Sequence, residues 1–109
     1  MRVIAGLFKG RKLVFKKSKL VRPTQDRVKE TLFNIISDKI VDGVCLDLFA
    51  GSGSLGIEAL SRGAKSIDFV DIDVTYVIKN LANIKADNCT EVFKSNAANY
   101  IKKAYKKYD

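Results

Sequence analysis

The sequence predicts an α/β fold built on a parallel sheet. Three observations carry that expectation. From Val44 onward, short apolar runs alternate with amphipathic stretches, the pattern of strands alternating with helices around a parallel sheet. The stretch LDLFAGSGSLG, Leu46 to Gly56, sets Gly51-x-Gly53-x-x-Gly56 between one such run and the next helix. An acid, Asp71, closes the following run 20 residues after Gly51. In such sheets ligands bind at the carboxyl ends of the strands, so the glycine turn marks the expected site.

The elements follow in order. Residues 2–15, RVIAGLFKGRKLVF, carry apolar pairs around Gly6 and Gly10 and predict a hairpin with basic residues on its rim. KKSKLVRPT follows as a basic loop, and Pro23 pushes Arg22 into an extended conformation. DRVKETLFNIISDKI predicts a helix from Asp26 to Ile40, with Val28, Leu32, Ile35, Ile36 and Ile40 on its inward face, Thr24 or Asp26 as its cap, and Asp42-Gly43 as its stop. VCLDLF, Val44 to Phe49, reads as a strand buried on both faces, with Cys45 a small buried hydrophobe. SLGIEALSRG is a helix stopped by Gly63. SIDFVDID is the second strand. VTYVIKNLANIKAD is a helix burying Val74, Val77, Ile78, Leu81 and Ile84. TEVFKS is a third strand, and ANYIKKAYKKY a helix with Tyr100, Ile101, Ala104, Tyr105 and Tyr108 inward.

Composition narrows the function classes. The 109 residues suit one small globular domain, 47% hydrophobic and 29% charged. No apolar run is long enough to span a bilayer, and the N-terminus lacks a secretory pattern, so a cytoplasmic location is expected. Two cysteines and no histidine make no metal site and remove the usual general base near neutral pH. The net charge is +8, and residues 1–22 hold eight basic residues and no acid, which leaves twelve of each sign in the rest. The excess therefore sits wholly on the N-terminal segment, as a phosphate-contacting surface for nucleic acid or, more plainly, a solubilising edge.

Asp47 decides what the glycine turn can hold. A pyrophosphate over the turn would lie at a helix N-terminus, and a carboxylate ending the preceding strand would repel it. S-adenosylmethionine carries an ammonium and a sulfonium instead, which suit a carboxylate. Both ligand classes use an acid such as Asp71 for ribose hydroxyls. Each acid also has a plain alternative: Asp47 satisfied by backbone amides, Asp71 solvated, and Asp73 capping the next helix.

RPTQDRVKETLFNII followed by LDLFAGSGSLGIEALSRGA resembles the bacterial 16S ribosomal RNA guanine-N2 methyltransferases, and the likeness runs through the opening RVIAGLFKGRKL. It implies a truncated Rossmann-like S-adenosylmethionine-dependent methyltransferase fold with an N-terminal basic hairpin. The implied activity is methyl transfer to the exocyclic amine of one guanine in small-subunit ribosomal RNA. By the same likeness Asp47, Phe49, Gly51 and Gly53 match the methionine-binding loop and Asp71 the ribose-binding acid. Asn96, in SNAANY, matches the position contacting the adenine amino group; its plain alternative is a turn residue ahead of a helix. Arg22, Thr24 and Arg27 match a segment that closes over the active site, and Arg2, Lys9, Arg11 and Lys12 are the expected RNA contacts of the hairpin. The implied division is a basic RNA-contacting arm, residues 1–22, and a partial Rossmann-like domain, residues 23–109.

The sequence departs from the family at its end. A Tyr-Asp pair such as Tyr108-Asp109 opens the fourth strand there, ahead of a Pro-Pro loop that holds the flipped base. No Pro-Pro pair occurs here, so no catalytic residue is assigned, and a fragment inactive by itself is expected. With no fourth strand beside it, VCLDLF would present an apolar edge that invites self-association. Two other functions stay open: a dinucleotide-binding oxidoreductase fragment and a non-enzymatic RNA-binding module.

Overall fold

A computed structural model of the chain describes residues 2–15, 23–86, 88–103 and 107–109, and only the backbone of residues 23–26. Three strands, β1 (Val44–Asp47), β2 (Ser66–Asp71) and β3 (Thr90–Lys94), form a parallel sheet in the order β1-β2-β3. Val44 lies opposite Ser66, and Asp71 opposite Lys94. Helix α1 (Pro23–Ile40) precedes the sheet; α2 (Ser54–Ser61), α3 (Thr75–Ile84) and α4 (Ala97–Lys103) each follow a strand. This is the α/β arrangement the alternation predicts, and it is Rossmann-like.

The central strand organises the core, because it alone has a described strand on each side. Ile67, Phe69 and Val70 of β2 are fully buried. Ile67 and Phe69 face α2, where the third glycine of the motif lets helix and strand approach closely. A Cβ on Gly56 would sit 2.3 Å from Phe69 Cε1 and 3.0 Å from Ile67 Cγ2. On the other face Asp68, 3% exposed, accepts a hydrogen bond from the Tyr108 hydroxyl at 2.7 Å, and that hydroxyl also bonds to Tyr100 of α4. Burial first, then these two partners, push the Tyr108 phenol well above its ordinary range.

The N-terminal segment belongs to the same core. Arg2 and Lys12 form an isolated antiparallel bridge, so the expected hairpin is present as a single bridge rather than a ladder. Val3 and Leu13 are buried with the residues of α2 and α3. The fully buried Glu58 of α2 holds the segment. Its carboxylate accepts from Ile4 N at 2.8 Å, Ala5 N at 3.1 Å and Arg62 Nε at 2.8 Å, and lies 3.4 Å from Lys29 Nζ of α1. Leu7 N then donates to Ser61 O at 2.8 Å.

Several boundaries and faces differ from the sequence expectation. Helix α1 starts at Pro23, a residue tolerated in a first turn, so Thr24 and Asp26 lie inside it rather than capping it. Its inward stripe is Lys29, Phe33, Ile36 and Ile40, while Val28, Leu32 and Ile35 are exposed. The helix is turned by roughly a fifth of a revolution from the expected face, keeping Ile36 and Ile40 inward and bringing Lys29 to Glu58. In α3, Ile78 is exposed and Asn80 is buried. Strand β1 ends at Asp47, and its residues, Cys45 included, are only half-buried, because β1 is an edge strand of the described sheet. Asp109 lies along that edge: its N–H donates to Val44 O at 2.8 Å and its carboxylate accepts from Val44 N at 2.8 Å. The last helix is Ala97–Lys103, with Ile101 exposed and Tyr108 beyond its end; the expected inward Ala104 and Tyr105 fall outside the described residues, as does Arg22.

Glycine-to-alanine exchange inside an exposed helix normally stabilises by about 1 kcal/mol. At Gly56 the sign reverses, because the new methyl overlaps the Phe69 ring. Gly56→Ala is expected to lower the free energy of unfolding by about 1–3 kcal/mol, read as a reduced urea midpoint.

Candidate functional site

The carboxyl ends of the three strands lie along one side of the sheet, and the expected ligand-binding acids are there. Asp47 ends β1, Asp71 ends β2, and Asn96 follows β3. The glycine turn leaves β1 and enters α2. It is closed by Gly53 N donating to Ala50 O at 2.7 Å and joined to the sheet by Ala50 N donating to Val70 O at 3.0 Å. Gly53 has φ 83°, and a Cβ there would lie 2.7 Å from Val77 Cγ2, so conformation and space both require glycine. Gly51 serves differently. It is exposed, and a Cβ on it would meet nothing within 4 Å, which leaves open space against the backbone for a ligand.

Both acids are tied to this turn. Asp47 Oδ2 accepts from Gly56 N at 3.0 Å, and Asp71 Oδ2 accepts from Gly51 N at 2.8 Å while its Oδ1 accepts from Asp73 N at 3.2 Å. Burial pushes the Asp47 carboxyl above the ordinary carboxylate range; the Gly56 amide pulls it down, and the nearby Asp71 charge pushes it up again. Two carboxylates therefore share one short stretch of backbone, and the turn carries a negative field. Phe49 leaves its ring exposed on the same loop. Asp73 Oδ1 accepts from Thr75 N at 3.0 Å and supports the start of α3. Asn96 does the same for α4, its Oδ1 accepting from Asn99 N at 2.7 Å; a second lone pair remains on that oxygen.

The basic candidates lie on other elements. Arg2, Lys9, Arg11 and Lys12 are exposed, and Arg11 Nη2 donates to Asn83 O at 2.7 Å. Arg27 is exposed on α1, where with Val28, Thr31, Leu32 and Ile35 it lines a shallow groove of about 340 Å³. Thr24 is in α1 with its side chain outside the description, and Arg22 lies outside the described residues.

Two residues that support the turn escaped the sequence reading. Lys29 Nζ donates to Ser54 Oγ at 2.9 Å, and Asn80 Nδ2 donates to Ser52 O at 2.8 Å. A signal for both existed. Lys29 shares a helical stripe with Phe33, Ile36 and Ile40, and Asn80 one with Val77, Leu81 and Ile84, so each polar residue stands where the period demands burial.

Because the folded state raises the proton affinity of Asp47, this group contributes stability below its ordinary value of 3.8 and loses it as pH rises through the folded value. Asp47→Asn keeps an acceptor for Gly56 N and removes the buried charge. The variant is expected to melt at a higher temperature than the parent at pH 7, with the gap closing at pH 3.5, in paired thermal scans.

Known proteins are similar to this chain in sequence and in fold. Ribosomal RNA small subunit methyltransferase D of Escherichia coli is 49% identical over 104 residues, covering 93% of this chain and 52% of that protein. Putative rRNA methyltransferase YlbH of Bacillus subtilis is 44% identical over 110 residues, 98% of this chain and 60% of that protein. A solved structure, putative methyltransferase yhhF from Escherichia coli, superposes with a TM-score of 0.83 at 47% identity, covering 93% of this chain and 56% of that one. The chain thus spans about half the length of the relatives it matches. With residues 1–109 all matching the family described as conserved hypothetical protein 95, and with relatives named as methyltransferases of ribosomal RNA, the chain belongs to that family.

Proposed function

We propose that this chain is the cofactor-binding half of an S-adenosylmethionine-dependent methyltransferase acting on the exocyclic amine of a guanine in small-subunit ribosomal RNA. The observation that carries the cofactor is Asp47, a carboxylate that ends β1 and bonds to the Gly56 amide of the glycine motif; Asp71, bonded to Gly51, would serve a ribose in either ligand class. A field of that sign opposes a pyrophosphate and favours a cationic ligand, which argues against the oxidoreductase alternative. S-adenosylmethionine, when bound, supplies a methyl group activated by a sulfonium.

The chain's own residues have separable tasks. Asp47 would face the positive groups of the methionine portion. Gly51, open to solvent, would let the backbone approach the ligand, and Asp71 has lone pairs left for ribose hydroxyls. Phe49 would offer an apolar ring, and Asn96 an acceptor for the adenine amino group. Methyl transfer to an amine is an in-line displacement in which positioning and electrostatics supply most of the rate, so a chain without histidine is compatible with it. Arg2, Lys9, Arg11 and Lys12 would hold phosphates, with Arg22, Thr24 and Arg27 toward the active site. The name of the Escherichia coli relative supports ribosomal RNA as the substrate class; the guanine amine is what the sequence resemblance implies. A non-enzymatic RNA-binding module would use the same basic surface and leave the glycine turn empty.

Calorimetric titration separates these readings. Saturable binding of S-adenosylmethionine and not of NADH is expected, weakened at least about tenfold in Asp71→Ala, one strong polar contact being worth that much. Binding of NADH alone would overturn the reading. An RNA hairpin is expected to bind with an affinity that falls steeply between about 50 and 200 mM salt, and Lys9→Ala with Arg11→Ala should flatten that slope. Salt-insensitive binding would remove the basic surface from the proposal.

A further inference from the structure

The two ends of residues 2–14, the described stretch of the basic segment, are fastened to the two serines that flank Gly53. At one end the carbonyl of Arg2 accepts from Lys29 Nζ at 2.8 Å, and the same nitrogen donates to Ser54 Oγ at 2.9 Å. At the other end the Asn80 carboxamide, fully buried, grips Val14. Its Oδ1 accepts from Val14 N at 2.7 Å, and its Nδ2 donates to Val14 O at 2.7 Å and to Ser52 O at 2.8 Å. Both Nδ2 protons are therefore committed, one to each element. Between these ends the segment lies hard against α2: a Cβ on Gly6 would fall 1.9 Å from Ser61 O.

Short hydrogen bonds out of water are expensive to break, because the separated groups have no solvent to replace the lost partner. A displacement of residues 2–14 must therefore either break the bonds of Lys29 to Arg2 O and of Asn80 to Val14 or move Ser52 and Ser54 with it. Those serines bracket the one turn residue whose conformation and surroundings both demand glycine. The segment and the turn thus share two independent mechanical ties, one through α1 and one through α3.

We propose that Lys29 and Asn80 are positioning residues that transmit RNA binding on residues 2–12 to the glycine turn. The inference rests on the functional reading above, in which that segment meets RNA and that turn meets the cofactor. Each residue acts through a serine of the turn, and the ties work in both directions.

Amide NMR spectra of the chain, titrated with a short RNA hairpin, test this. In the parent chain the amides of Lys9, Arg11 and Lys12 and those of Gly51 to Gly53 are expected to shift together along one binding curve. Asn80→Asp keeps the acceptor for Val14 N but loses both donated bonds. Ser54→Ala cuts the other tie while leaving Lys29 against Glu58 and Arg2, and serves if the first variant does not fold. In either variant the segment amides should titrate as before, while the shift at Gly51 to Gly53 falls by about half, one of the two ties being left. Direct contact of RNA with the turn would leave the response undiminished in both variants and overturn the coupling, as would a silent turn in the parent chain. Absence of any shift at Lys9, Arg11 and Lys12 would sink the RNA reading, and the coupling with it.

Discussion

A single buried carboxylate joins the parts of this molecule. Glu58 has no exposure to solvent, yet it is met by two backbone amides of the N-terminal segment, the guanidinium of Arg62 and the ammonium of Lys29. An uncompensated charge in such a place would be strongly destabilising, so the fold can bury Glu58 only with all its partners in place. That condition orders the rest. The segment must cross α2 at Ile4 and Ala5, and α1 must present Lys29 rather than its more apolar face. Arg62, one turn on from Glu58, shares Oε2 with the Ala5 amide from within the helix. Three elements distant in sequence are thereby fixed around the start of α2, and the glycine turn is what leads into that helix.

The turn itself shows how a common backbone motif acquires a ligand class. The spacing of Gly51, Gly53 and Gly56 answers purely local needs: a positive φ at Gly53, an open approach at Gly51 and close contact with Phe69 at Gly56. None of these prefers an anion over a cation. The sign is supplied by Asp47 and Asp71, which sit at the ends of neighbouring parallel strands and bond to opposite ends of the turn. Burial and mutual repulsion make the Asp47 charge unfavourable for the fold. A binding site that works against stability in this way is characteristic of functional surfaces.

Much of the fold was legible in the chain. The strands are short apolar runs and the helices amphipathic, so their order, and the placing of Asp47, Gly51, Gly53 and Asp71 at strand ends, could be read directly. What misled was the choice of helical face. Val28, Leu32 and Ile35 form the more apolar stripe of α1, and hydrophobicity alone turns them inward. The structure turns Lys29 inward with Phe33, Ile36 and Ile40, so the buried face is still largely apolar while Lys29 reaches Glu58, Arg2 and Ser54. The same error recurs in α3, where Asn80 takes the buried position expected of Ile78.

The sequence by itself determined the alternation of elements, the glycine turn, the sign of the charge beside it and the concentration of basic residues near the N-terminus. These are local properties, written in spacing and residue type. The tertiary structure alone decided which polar groups are buried and whom they meet. Glu58 with Ile4, Lys29 with Ser54 and Asn80 with Val14 are pairs separated by 25 to 66 positions. Nothing in the local pattern names such a partner, because a buried polar group is tolerated wherever the fold delivers its hydrogen bonds, and only the assembled packing shows where that is.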